Sequence, residues 1–471
     1  MSKKDSKTKE LKEKLFYKKK NIYKLVNDDV VSKAYDFCDG YKAFLDSSKT
    51  EREAVKYALE KAKANGFREY KAGMKLKTGD KIFVNNRGKA VILAVIGKEP
   101  LENGAKICAA HIDSPRLDLK QCPLYEDNEI ALFKTHYYGG IKKYQWTAIP
   151  LALHGVVVLE DGTTVEVNVG EDENDPVFVI SDLLPHLASE QMKKPATQII
   201  TGEELNIIVG SRPFKEDEES ELVKLNILSI LNEKYGINEE DFLSAELEVV
   251  PAFKASDIGF DRSMIGSYGH DDRVCAYPAL EAILNLSDTP DKTAVTVLTD
   301  KEETGSDGNT GLCSSYLKYF FDDIACDTEG SKTRGTVILS NSECLSADVN
   351  AAFDPTFPSV VEKKNTAYIN YGVVVTKFTG SRGKSGTSDA SAEFVGKIRT
   401  LLNKNEVVWQ TGELGKVDGG GGGTVAAYIA NLNVDTIDVG VPVLSMHAPY
   451  EVVSKMDVYM AYKAFEVFFC D

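Results

Sequence analysis

Two hydrophobic periods share this chain. From 29 to 64, Val30, Val31, Ala34, Phe37, Tyr41, Phe44, Val55, Leu59 and Ala62 recur at three- and four-residue steps, which predicts helix. Two apolar runs, KIFV at 81–84 and AVILAVI at 90–96, flank Asn85-Asn86-Arg87-Gly88 and predict a hairpin. The run from Lys106 to Asp113 reads as a strand ending in His-x-Asp. Residues 156–159 and 165–169, joined across Asp161-Gly162, predict a second hairpin. After a strand at 247–251 comes Gly269-His270-Asp271-Asp272-Arg273. Val274, Tyr277, Leu280, Ile283 and Leu284 continue it as a helix, with Pro278 placed near the first turn, where proline is tolerated. Val295, Val297 and Leu298 predict a buried strand, and Tyr316 and Phe320 an aromatic helix. Val337-Ile338-Leu339 reads as a strand leading to Asp348. A helix over 388–403 follows, with Phe394, Ile398 and Leu402 on one face. A strand over 437–443 precedes His447, and Val458, Ala461, Tyr462, Phe465 and Phe468 mark the last helix.

Strands alternate with helices at both ends of the chain but not in the middle. This predicts an α/β unit built from 1–119 and 243–471, interrupted by a β-rich insert at 120–242. The length, 471 residues, suits two domains, and 43% hydrophobic with 27% charged residues describes a globular chain with ample core. A net charge of −16 argues against general nucleic-acid binding. The absence of a run of about 18 apolar residues argues against a membrane span. The opening MSKKDSKTKELKEKLFYKKK has no apolar core of a secretory signal. It reads as a basic, helical, solvated arm over 1–25. Eight cysteines without CxxC spacing read as reduced thiols of a cytoplasmic protein. KEDEES at 215–220 reads as an acidic loop. The five glycines at 419–423 lack the GK[ST] ending of a phosphate loop and read as a flexible turn before a short helix.

Chemistry gathers at strand ends. Polar residues follow four of the strands: His111 with Asp113, Glu302 with Glu303, Asp348, and His447; Asp271 stands at a helix start. In open α/β sheets, ligands bind beyond the carboxyl ends of the strands. One adjacent acid pair is more often a solvated turn, and one terminal histidine more often structural. Several such endings in one sheet favour a site. Imidazole and carboxylate suit zinc, with cobalt or manganese as substitutes. Asp271, Glu303 and Asp348 bring −3, which with a hydroxide balances two divalent ions. Such a pair polarises a carbonyl and lowers the pKa of water. A carboxylate that is not a ligand must then accept a proton, and the Glu302-Glu303 pair supplies one of each kind. Asp113 fits a partner that fixes the His111 tautomer.

The pieces HIDSPRLDLK (111–120), YYGG (137–140), LPHLA (184–188), DDRVCAYPAL (271–280), EETGS (302–306), SADVNAAFDP (346–355) and LSMHAPYE (444–451) resemble, in order, those of the aminopeptidase I/aspartyl aminopeptidase family of two-zinc exopeptidases. The resemblance implies a three-layer α/β/α zinc-peptidase domain and an inserted dimerisation domain at about 120–242. It implies peptide substrates, two zinc ions per subunit, and homodimers assembling into a tetrahedral dodecamer. His111 and Asp348 would bind one zinc, Glu303 and His447 the other, with Asp271 bridging and Glu302 as general base. His186 would reach a neighbouring subunit's active site. Ala351 and Tyr371 stand where acid-selective members carry a histidine and a lysine, so neutral or apolar N-terminal residues are expected. The competing expectations are a two-metal carboxypeptidase or deacylase on the same core, and a non-catalytic assembly or cargo protein that keeps the particle.

Overall fold

The structure is a computed structural model that describes residues 3–215, 220–380 and 382–471. The central four acids of the acidic loop, 216–219, lie outside the described residues.

A nine-stranded sheet forms the centre of the chain. Its order is Arg68–Glu69, Lys81–Asn86, Ala90–Val95, Thr293–Thr299, Ala105–His111, Glu343–Ser346, Asp435–Gly440, Val373–Thr376 and Trp409–Thr411. The middle four of these, from Thr293–Thr299 to Asp435–Gly440, run parallel, so their carboxyl ends share one edge. Alternate side chains feed two separate cores, as the period of two requires. Ala294, Leu298, Cys108 and Ala110 face one core, where helices Asp28–Ser47, Glu51–Ala64, His270–Leu284, Ala392–Lys404 and Lys455–Phe469 pack. Val295, Val297, Ile107 and Ala109 face the other, with helices Tyr316–Asp327, Gly335–Ser340 and Ala426–Ala430. Both faces are therefore covered, which explains near-continuous apolar runs in the central strands.

A six-stranded sheet, all of its pairs antiparallel, carries its own core around Trp146, Phe133 and Phe242. Its order is Thr164–Val169, Leu151–Val158, Ala245–Pro251, Arg116–Asp127, Ile130–Tyr138 and Ile207–Gly210. A third, five-stranded sheet joins Ser256–Ile258, Met264–Ser267, Glu451–Ser454, Pro442–Leu444 and Asn350–Ala351.

Several elements differ from the sequence expectation. The periodic stretch 29–64 is two helices, because Thr50 caps Glu51–Ala64 with a capping box to Glu53. Val337-Ile338-Leu339 is helical, within Gly335–Ser340; Ile338 and Leu339 bury against the second core, and packing overrides β-branched preference. The strand begins only at Glu343. The 247–251 run does not return to the central sheet but pairs with Leu151–Val158 and Arg116–Asp127 of the six-stranded one. Asp271 and Asp272 are non-helical within His270–Leu284, so Pro278 lies beyond the first turn of the regular helix. The helix expected from 388 starts at Ala392, capped by Ser391. The basic arm carries a helix at Lys3–Leu15. Among the described residues no helix is long and apolar enough to cross a membrane. All eight cysteines are free.

Candidate metal centre

Strand register brings the site together. Thr299 pairs with His111, and Ser346 pairs with Ala109, so the residues just past each strand end share one level. Three residues beyond Thr299, a short turn sets Glu302 and Glu303 beside His111. Lys301 and Gly305 flank this turn with φ of 69° and 93°. Asp271 arrives from the irregular start of the helix behind the sheet, and its peptide bond to Asp272 is cis. His447 comes from the loop between Pro442–Leu444 and Glu451–Ser454.

Asp271 stands between two imidazoles. Its Oδ1 lies 3.1 Å from His111 Nε2 and its Oδ2 lies 3.2 Å from His447 Nε2. Asp348 Oδ1 and Glu302 Oε2 each lie 3.9 Å from His111 Nε2, and Glu303 Oε1 lies 3.7 Å from His447 Nε2. Among the described residues, two overlapping groups have donor atoms close enough to share a cation: His111, Asp271 and Glu303, and His111, Asp272 and Asp348.

Both imidazoles are held from behind. His111 Nδ1 donates to the main-chain oxygen of Asp113 at 3.0 Å, and His447 Nδ1 donates to that of Gly140 at 2.8 Å. This leaves each Nε2 lone pair facing the centre, the arrangement a metal-ligating histidine needs. Asp113 is buried, and its carboxylate accepts the N–H groups of Glu302 and Glu303, both at 3.1 Å, and the hydroxyl of Tyr138 at 2.8 Å. Glu451, also buried, accepts the N–H groups of His447 at 2.8 Å and Asp271 at 3.1 Å.

The electrostatics call for added positive charge. Burial pushes the Glu303 and Asp348 carboxyls well above the usual carboxylate range, reinforced by Asp271 for Glu303 and Asp272 for Asp348. Burial also lifts Glu302 to about 7 and Glu451 to about 8. The histidines go the other way: burial opposes their charge, but contacts with Asp113 and Asp271 raise His111, and contact with Asp271 lifts His447 to about 10. Burial opposes ionisation of Asp271 too, yet the two histidines hold it below its ordinary value. Glu303 Oε1 and Asp272 Oδ1 are buried without a hydrogen-bond partner. Such atoms are costly unless something else satisfies them. A donor set of imidazole and carboxylate with orphaned oxygens fits divalent zinc.

The structure thus gathers His111, Asp113, Asp271, Glu302, Glu303, Asp348 and His447. His186 is exposed in the irregular segment between Thr164–Val169 and Ile207–Gly210, and no ion pair of the cluster includes it. Sequence reasoning assigns no task to Asp272, Glu451 or Tyr138. All three stand inside motifs that carry the resemblance, DDRVCAYPAL, LSMHAPYE and YYGG, but spacing gives no task to Tyr138, which enters from the other sheet.

Comparison with known proteins shows the family of the chain. The model of the aminopeptidase I zinc metalloprotease (M18) family matches residues 44–469. A probable M18 family aminopeptidase 1 of Clostridium acetobutylicum is 53% identical over 456 residues, covering 95% of this chain and 97% of that protein. The crystal structure of aminopeptidase I from the same organism superposes with a TM-score of 0.91 at 49% identity, covering 97% of this chain and all of that one. An M18 aminopeptidase from Thermotoga maritima gives a TM-score of 0.91 at 43% identity, covering 96% of this chain and 99% of that one.

Proposed function

The chain belongs to the aminopeptidase I zinc metalloprotease (M18) family and is an aminopeptidase; from that premise we propose that it removes neutral or apolar N-terminal residues from peptides at a centre of two zinc ions. The observation that carries the two-ion reading is Asp271, whose two oxygens each face one imidazole Nε2 at 3.1 and 3.2 Å. His111 and Asp348 would hold one ion, Glu303 and His447 the other, and Asp271 would lie between them. Zinc, when bound, supplies a Lewis acid for the scissile carbonyl and lowers the pKa of water.

The chain's own groups do the rest. The Glu302 side chain stands at the rim of the cluster, 17% exposed, 3.9 Å from His111 Nε2. From there its carboxylate takes a proton from the attacking water and returns it to the departing amine. Asp113 fixes the turn that aims it, through the two N–H bonds at 3.1 Å. The His447 side chain, 36% exposed, marks the open side by which a peptide enters.

Preference for neutral residues rests on Ala351 and Tyr371. Ala351 offers no polar group, and the ring of Tyr371 packs against Tyr368 at 5.6 Å. Of the lysines nearest in sequence, Lys363 lies 5.5 Å above the Phe353 ring, Lys377 pairs with Asp389, and Lys364 is exposed. The resemblance and the exposed Val177, Leu183, Leu184, Leu187 and Met192 support dimerisation through the inserted sheet, within a dodecamer in which His186 serves a neighbour. Eight free thiols support a cytoplasmic setting.

The test is kcat/KM for leucyl, alanyl, aspartyl and glutamyl anilides, with N-acetyl-leucyl anilide as control, on zinc-loaded protein. Leucyl or alanyl substrate should lead and the blocked substrate should be inert. A clear lead for aspartyl or glutamyl substrate would overturn the assigned preference.

A further inference from the structure

Tyr138-Gly139-Gly140 closes the strand Ile130–Tyr138 of the six-stranded sheet, yet it touches three members of a site built on the other sheets. The Tyr138 hydroxyl donates to Asp113 Oδ2 at 2.8 Å. Gly139 lies flat against Glu303: its φ is +74°, and a Cβ there would sit 3.1 Å from Glu303 Oε2 and 3.3 Å from Glu303 Cβ. The Gly140 carbonyl accepts from His447 Nδ1 at 2.8 Å. The tyrosine ring is itself fixed. The Arg116 guanidinium lies 3.9 Å from its centroid, and Arg116 is buried and held by Asp118 at 2.8 Å and Glu248 at 3.2 Å.

We propose that Tyr138 is a positioning residue of the metal centre, through which the inserted sheet sets the orientation of His111 and of the 302–303 turn. The inference rests on the two-zinc reading above. The Asp113 carboxylate has three tasks. Oδ1 takes the N–H of Glu302 at 3.1 Å and lies 3.4 Å from His111 Nδ1, and Oδ2 takes the N–H of Glu303 at 3.1 Å. The Tyr138 hydroxyl adds a donor to Oδ2 and stops the carboxylate from rotating about its own axis. Without it, Asp113, whose carboxylate anchors two adjacent acids and whose main-chain oxygen orients the His111 imidazole, loses one of the three donors that fix its side chain. Groups that orient metal ligands commonly matter about 10- to 100-fold in metal affinity.

The experiment uses full-length Tyr138→Phe, which keeps the ring under Arg116 and deletes one oxygen. Zinc affinity is measured by competition with a chromogenic chelator, beside the urea midpoint of metal-stripped protein. The expected result is zinc affinity weakened about 10- to 100-fold with the stripped midpoint unmoved, and kcat that recovers as zinc is raised. A lost midpoint with wild-type zinc affinity would mean Tyr138 only packs, and would overturn the role. Wild-type protein that binds no zinc would overturn the metal reading itself, a separate outcome. Should Tyr138→Phe fail to fold, Gly139→Ala reads the same segment through Glu303 and should also weaken zinc; unchanged affinity there counts against the proposal.

Discussion

Glu302 and Glu303 are neighbours in sequence with different surroundings. Glu303 points Oε1 toward His447 Nε2 at 3.7 Å and is nearly closed off, while the Glu302 side chain is 17% exposed at the rim. The two should therefore fail differently when changed. Glu302→Gln should keep zinc but lose about 10²–10⁴-fold in kcat, the usual worth of a general base. Near-normal turnover in that variant would assign the proton transfer to another group. Glu303→Gln should instead lose zinc along with activity, as equilibrium dialysis would register. At the substrate end, a buried carboxylate lacking its charge partner commonly costs about 2–5 kcal/mol. Ala351→His or Tyr371→Lys should thus raise kcat/KM for aspartyl relative to leucyl anilide. A ratio that stays put would show that these side chains do not border the substrate. His111 after ICAA and Glu302 after VTVLT were legible because each follows an apolar run that the register then aligns, whereas Asp348 was expected after the Val337–Leu339 run, which is helical, and instead follows the short strand Glu343–Ser346. Glu451 and Tyr138 were not, because their tasks exist only once separate sheets meet.

Between elements, the contact of the inserted sheet with the helices is polar as well as apolar. His154 on Leu151–Val158 lies between Glu53 at 2.8 Å and Glu171 at 3.1 Å, with Asn168 beside it, and Glu171 also takes Lys49 at 2.6 Å and Lys254 at 2.7 Å. Burial opposes charge on His154, but the two carboxylates outweigh it and raise its pKa above 6.5. The sign follows directly: a group raised on folding contributes stability that is full below its unfolded pKa, about 6.5, and lost as pH climbs through the folded value. The wild-type urea midpoint should therefore fall between about pH 6 and pH 8 more than that of His154→Gln. Parallel curves for the two proteins would show that folding does not raise the imidazole's pKa. The same scale shows where pattern reading stops. The 29–64 period continues across Ser48-Lys49-Thr50, and only the capping box at Thr50 and Glu53 marks the break. The Val337–Leu339 triplet has strand composition, yet Ile338 and Leu339 find their burial in a one-turn helix.

At the scale of the whole molecule, one chain gathers all the candidate metal ligands but leaves His186 exposed and apart from them. If His186 serves a neighbour, His186→Phe should lower turnover while leaving the particle's size unchanged by light scattering. Mixing it with Glu302→Gln protein, with subunit exchange demonstrated, should restore part of the activity, since hybrid contacts then hold one intact site. No recovery would mean each chain acts alone. The α/β class was legible from alternating periods. The place of Ala245–Pro251 in the six-stranded sheet was not, because a strand declares its partner only through pairing.

The proposed centre of two divalent ions around Asp271 is tested most directly by the zinc stoichiometry of chelator-stripped, full-length protein in titration calorimetry. Two ions per chain are expected in the wild type, and fewer in Asp271→Asn, where one side-chain oxygen becomes an amide that cannot ligate in the same way. A wild-type titration that ends at one ion, or none, would contradict that centre.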